Sequence, residues 1–186
     1  MGGLKSRDDE LIEAYRNSGD VRWLNDLFSP YMGQVRGMMY QMVLNDADAD
    51  DVTQEVFIRA ARGIHGFNGH SRFPTWLYRI SMNCAKSFLA KRARSPVEHR
   101  DTLPEQAAGP GSDPGDATAA GELDARIREA LSELSPKLRS AIVLVVMQEV
   151  GVTEAARVER CAAATMYWRV HEARRQLKRK LEAYLS

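Results

Sequence analysis

Apolar residues recur three and four positions apart along most of this chain, the period of α-helices with one buried face each. Leu11, Ile12, Ala14 and Tyr15 among acids predict a short helix over Asp8 to Asn17, ended by Ser18-Gly19-Asp20. A second helix is expected from Asp20 to Phe28, and Ser29-Pro30 reads as the cap and first-turn proline of a third, from Tyr31 to about Leu44. Trp23, Leu24, Leu27, Phe28, Tyr31, Val35, Met38, Met39, Met42 and Val43 form their apolar face, with the methionines as core filling. Asp46, Asp48, Asp50 and Asp51 suit a helix N-terminus, where negative charge meets unpaired N–H groups. Val52, Val56, Ala60 and Ile64, with Phe57 and Ala61 beside them, are the buried side of the helix that starts there. After the loop from Gly66 to Phe73, with Ser71 or the neighbouring backbone as cap, Pro74 opens another helix whose stripe is Leu77, Ile80, Cys84 and Phe88.

The pattern then stops. Residues 95–120 are rich in proline, glycine, small and acidic residues and lack apolar periodicity, so a flexible linker is expected between a helical domain over 1–94 and a second over 121–186. Leu123, Ile127, Ala130, Leu131 and Leu134 resume the helical spacing, Ser135-Pro136 repeats the cap-plus-proline opening, and Leu138, Ile142, Val145 and Val146 make the next stripe. Val150-Gly151 marks a break. A short helix from Thr153-Glu154 buries Ala155, Ala156 and Val158, Arg160-Cys161 makes a turn, and a long helix from Ala162 to Leu185 carries Met166, Val170, Ala173, Leu177 and Leu181 inward. Short helix, tight turn and Arg-rich helix together form a helix-turn-helix arrangement. The fold class is therefore all-α.

Two helix faces are not explained by burial. Asp51, Gln54, Glu55, Ile58 and Arg62 lie three and four apart, which fits either a solvated face with one stray Ile or a docking face for another protein. Trp76, Arg79, Asn83 and Lys86 share a face that Lys91, Arg92 and Arg94 extend with positive charge. Bases stack on aromatic rings while Lys and Arg follow phosphates, so this face suits single-stranded nucleic acid; Trp76 as core with solubilising cations fits the same spacing.

The run DADDVTQEVFIRA, then F-N-G at Phe67 to Gly69, then FPTWLYRISMN at Phe73 to Asn83, resembles the second conserved region of the extracytoplasmic-function (ECF) sigma factors, promoter-recognition subunits of bacterial RNA polymerase. The resemblance implies that Asp51, Gln54, Glu55, Ile58 and Arg62 bind core polymerase. It implies that Phe67, Asn68 and Gly69 receive a base flipped from the non-template strand, and that Trp76, Arg79, Asn83 and Lys86 face the melted −10 element. ALSELSPKLR at Ala130 to Arg139, EAA at Glu154 to Ala156 and TMYWRVHEAR at Thr165 to Arg174 are similar to the family's fourth region, which implies contact with the −35 element by Arg169, His171, Arg174 and Arg175, with Thr165 near a phosphate. Arg160 and Ala164 stand where the family usually or often has glycine, and Tyr167 and Trp168 where it has small or basic residues. These two aromatics either contact thymine methyls or sugars, or one of them packs inward. The acidic linker residues Glu98, Asp101, Glu105, Asp113 and Asp116 fit a nucleic-acid mimic or a plain tether. An anti-sigma factor is the further partner the resemblance implies.

Composition adds limits. In 186 residues, 44% hydrophobic content suffices for a core, and a net charge of +1 leaves DNA binding to rest on where charge is placed. Cys84 and Cys161 are isolated and the four histidines make no ligand spacing with them, which points to reduced thiols in a cytoplasm and to no metal or cofactor. No acid, base and nucleophile cluster indicates an enzyme, and no membrane span or signal-peptide core is expected. A stand-alone helix-turn-helix repressor would account for the C-terminal half, but leaves Ile58 and Trp76 without a role.

Overall fold

The computed structural model describes residues 6–94 and 114–185, and these contain helices and turns but no strand. The helices are α1 (Arg7–Ser18), α2 (Val21–Phe28), α3 (Met32–Val43), α4 (Asp46–Gly63), α5 (Phe73–Arg94), α6 (Pro114–Ser132), α7 (Pro136–Ile142), α8 (Val152–Val158) and α9 (Ala163–Leu185). Their ends follow local chemistry. Ser6 and Asp9 form a reciprocal capping box on α1, and Gly19 closes it at φ 68°. Asp20 caps α2, Asn45 caps α4 through the Asp48 N–H, and Ser135 caps α7 with Pro136 in the first turn.

Ser29-Pro30 acts otherwise than expected. Residues Ser29–Tyr31 form a single 3-10 turn without a side-chain cap, and the chain runs from α2 into α3 through it. A wide π turn over Val143–Met147 follows α7 and swings Val146 outward, so Val146 is exposed instead of continuing the α7 stripe. Leu123 and Trp23, both expected in apolar faces, are also exposed. α6 begins at Pro114, inside the stretch expected to be a linker over 95–120; residues 95–113, with Glu98, Asp101, Glu105 and Asp113, lie outside the described residues.

Leu27, Val35, Met38, Met39, Met42, Val56, Ala60, Ile64 and Leu77 are wholly buried, so the methionines of α3 are core. Burying each large apolar side chain contributes about 1.5–3 kcal/mol. This core does not stop at the domain boundary, since Ala141, Val143, Leu144, Ala155, Ala156, Val158, Met166 and Val170 join it. Leu131, Leu134, Leu138, Ile142 and Ala173 form a second, smaller cluster under α6 and α9.

Arg139 fastens the two halves. It is buried, its Nη1 donates to the Met42 carbonyl at 2.6 Å, and its Nη2 donates to the carbonyls of Ser132 at 2.8 Å and Leu134 at 3.4 Å. The contact at Met42 places a cation at the C-terminal end of α3, where the helix dipole favours it.

Candidate protein-docking and nucleic-acid interface

The N-terminus of α4 is fixed by charge. Arg36 on α3 donates to Asp50 at 2.7 Å and to Asp46 at 2.8 Å, and Arg92 on α5 donates to Asp48 at 2.6 Å. Asp51, Gln54, Ile58 and Arg62 are exposed and Glu55 is half-buried, all on the α4 face away from the core. Ile58 is 40% exposed with polar neighbours around it. Glu55 accepts from Arg59 at 2.5 Å, which adds Arg59 to this face although the spacing of apolar residues gave it no prominence.

The loop after α4 is held from α1. A single nitrogen of Arg16 donates to the carbonyl oxygens of Ile64 at 2.7 Å, His65 at 3.2 Å and Phe67. Phe67 is buried, its ring 5.4 Å from Trp76 and 6.0 Å from Phe73, so the loop offers Asn68, Gly69 and backbone instead of an aromatic ring. Gly69 has φ 74°, a conformation that suits glycine, and the Asn68 side-chain oxygen accepts from the His70 N–H at 3.3 Å.

Trp76 is neither fully core nor fully open. It is half-buried, packs on Phe67 and Phe73, and lies close enough to Gly63 that an added Cβ there would sit 3.3 Å from the indole. Asn83 is exposed. Of the remaining basic residues, Arg79 and Lys86 are partly covered by the α8 segment, whereas Arg72, Lys91 and Arg94 are exposed. Arg72 and Thr75 both donate to Glu154, Thr75 at 2.5 Å, and Arg79 donates to the Arg157 carbonyl at 3.0 Å. Lys86 donates to Glu159, whose side chain is only 2% exposed and which also has Arg169 at 3.5 Å. The sequence marked Glu154 as a helix start and as part of the EAA motif and gave Glu159 no role; a carboxylate on a short helix carries no sign of which distant cation it will meet.

The clasp is not fully satisfied. Glu159 Oε1 and Arg79 Nε are buried without a hydrogen-bond partner among the described residues, and each such group costs about 1–3 kcal/mol.

In the C-terminal half, α8, the turn and α9 form the helix-turn-helix. Arg160 holds φ 50° in the turn, the left-handed conformation that glycine usually supplies. Tyr167 and Trp168 are each 61% exposed, so neither packs inward. His171, Arg174 and Arg175 are exposed on the same helix, Thr165 is half-buried at its start, and Arg169 is turned toward Glu159. Hydrogen bonds from Arg175 and Gln176 lower the Glu172 carboxyl to a pKa of about 2, so it is ionised and offsets part of the positive charge on this helix.

Cys84 is buried, Cys161 half-buried, and both are free. Among the described residues no cluster of His, Cys, Asp and Glu could hold a metal ion, and no helix is long and apolar enough to cross a membrane.

The Sigma-70 region 2 family model matches residues 27–95. The fold is similar to that of CnrH, solved in complex with the cytosolic domain of CnrY, with a TM-score of 0.70 and 22% identity over 95% of this chain and 99% of that one. It is also similar to the sigma factor RpoE of Bartonella quintana, solved in complex with the anti-sigma factor NepR, with a TM-score of 0.64 and 24% identity over 83% of this chain and 94% of that one. The ECF RNA polymerase sigma-E factor of Haemophilus influenzae is 31% identical over 94% of this chain and 95% of its own. With similarity running through both helical halves and the segment between them, the chain belongs to the ECF RNA polymerase sigma factors.

Proposed function

We propose that this chain initiates transcription by binding core RNA polymerase and directing it to promoters, with no catalytic chemistry of its own. The observation that carries the reading is the exposed α4 face, where Ile58 sits among Asp51, Gln54, Glu55 and Arg62, beside a loop and a basic α5 face that need a different partner. An exposed aliphatic residue inside a charged rim is the anatomy of a protein contact. The loop at Phe67, Asn68 and Gly69 and the α5 residues Trp76, Arg79, Asn83 and Lys86 would take the melted −10 strand. Thr165, Tyr167, Trp168, Arg169, His171, Arg174 and Arg175 on α9 would meet the duplex −35 element.

The arrangement with α8 against α5 is the inactive form on this reading. Glu154 and Glu159 occupy cations that phosphates would otherwise use, so the halves must separate before the −10 strand can bind. An anti-sigma factor is the partner that would hold the closed form, and the site of action is the cytoplasm. Purified chain mixed with core polymerase and a promoter library tests the function: transcripts that depend on the chain are expected. Tight binding of duplex DNA without polymerase, and no chain-dependent transcript, would favour a stand-alone repressor instead.

A further inference from the structure

The end of α9 that follows the turn differs in kind from the rest of that helix. From Ala163 to Trp168 it contains no charged residue, and its large exposed side chains are Tyr167 and Trp168, each 61% exposed in the second turn. The cations that come after are held by carboxylates or lie further along. Arg169 is turned toward Glu159, with its side chain only 14% exposed, and Arg175 gives Nε and Nη2 to the two oxygens of Glu172 at 2.9 and 2.8 Å. Both carboxylates lie in the same half as α9, so these pairs do not depend on the contact with α5. His171 and Arg174 are exposed, but stand one and two turns further from that end than Tyr167.

A recognition helix touches base edges with its N-terminal residues. In the major groove guanine is read by a forked Arg or Lys, and thymine by apolar contact with its C5-methyl group. An Arg turned inward or already forked on a carboxylate is not free to fork a guanine. The face of an aromatic ring has no donor for guanine's acceptors, and it covers a methyl group well. We infer that Tyr167 and Trp168 select T·A pairs in the upstream element by packing on thymine methyl groups, while the cations of α9 follow phosphates. The choice of thymine rests on the proposed docking of α9 on the −35 duplex, and adds which base is selected and by what contact. At both positions the family has small or basic residues, so the preference is this chain's own.

The test uses the full chain with core polymerase. An upstream element is selected from promoters randomised there, and each thymine in it is then replaced singly by deoxyuridine, which removes only the methyl group. At one or more positions the wild type should bind about fourfold more weakly, the scale of one buried methyl group. Each sensitive position should lose its distinction between thymine and deoxyuridine in Tyr167→Ala or in Trp168→Ala, measured at low salt where phosphate contacts keep the variants bound. Tyr167→Phe should keep the distinction, because the ring and not the hydroxyl makes the contact. Both side chains are exposed, so the variants fold. Three results would overturn the assignment to the rings while leaving α9 as the upstream reader: no effect of deoxyuridine at any position, a distinction that survives both alanine variants, or a loss with 7-deazaguanine larger than any with deoxyuridine. A wild type that selects no upstream sequence overturns both.

Discussion

Lys86 and Glu159 form an ion pair between the two halves of the molecule, with the carboxylate almost fully buried and Arg169 at 3.5 Å from the same oxygen. A side chain that could follow DNA phosphates is thus neutralised within the chain. Replacing Glu154 and Glu159 together by Gln should weaken the closure by about 1–3 kcal/mol, because it removes charge from hydrogen bonds to Arg72, Thr75, Lys86 and Arg169. Fluorescence anisotropy with a labelled single strand of the −10 element should show affinity several-fold higher than wild type, and unchanged affinity would argue that α8 does not obstruct the α5 face.

Glu55→Arg should reduce affinity for core polymerase about tenfold or more while thermal stability falls by no more than about 1 kcal/mol, since the Glu55 carboxylate bonds to its helix neighbour Arg59 and lies outside the core. A quantitative pull-down alongside a melting curve checks both halves of the statement. Equal polymerase binding by the variant would remove the α4 face from the account.

Tyr167→Ala and Trp168→Ala should leave stability nearly unchanged, because both side chains are 61% exposed. Binding to duplex −35 DNA should fall in each. If either variant loses stability while duplex binding holds, that aromatic is structural.

Arg139→Ala should cost about 3 kcal/mol, since the Met42, Ser132 and Leu134 carbonyls would lose their donor in a buried place. Burial lowers the pKa of this guanidinium, and its Nε has no partner among the described residues, so part of the loss is offset by removal of a desolvated charge. Urea unfolding measures the balance, and a stabilised variant would show that the desolvation cost dominates.

Stability should decline above about pH 9. Burial raises the pKa of the Cys84 thiol and of the Tyr78 and Tyr31 phenols, and at Tyr31 the hydrogen bond to Asp8 at 2.8 Å adds to the rise. A folded-state pKa above the unfolded value means that the native state keeps protons the unfolded state has released, so this contribution is complete below the unfolded values and lost as pH climbs through the folded ones. Denaturation midpoints at pH 8 and pH 10 should differ, and Tyr31→Phe should reduce the difference; a flat profile would contradict the burial of these groups.

Much of the fold is legible in one dimension because its causes are local. Helical period placed Met38, Met39, Met42, Val56, Ala60 and Leu77 inside, and Asp20, Ser135-Pro136 and Gly19 marked helix ends through bonds to residues at most four positions away. The exposed α4 face followed from the same periodicity. Trp23, Leu123 and Val146 escaped it, because an apolar residue is buried only if another element arrives to cover it, and at Val146 the π turn changed the phase of the helix.

By itself the sequence determined which stretches are helical, most of their capped ends and the apolar side of most of them, since those depend on bonds and spacing within a few residues. Only the tertiary structure decided that Phe67 turns its ring inward, that α1 reaches the loop through Arg16, and that Glu154 and Glu159 meet Arg72 and Lys86 from more than seventy residues away. Charge pairing has no period along a chain. A cation on a polar face reads the same whether its counterion is a phosphate, a water-screened salt ion or a carboxylate on a distant helix, until the packing of the helices brings one of them within reach.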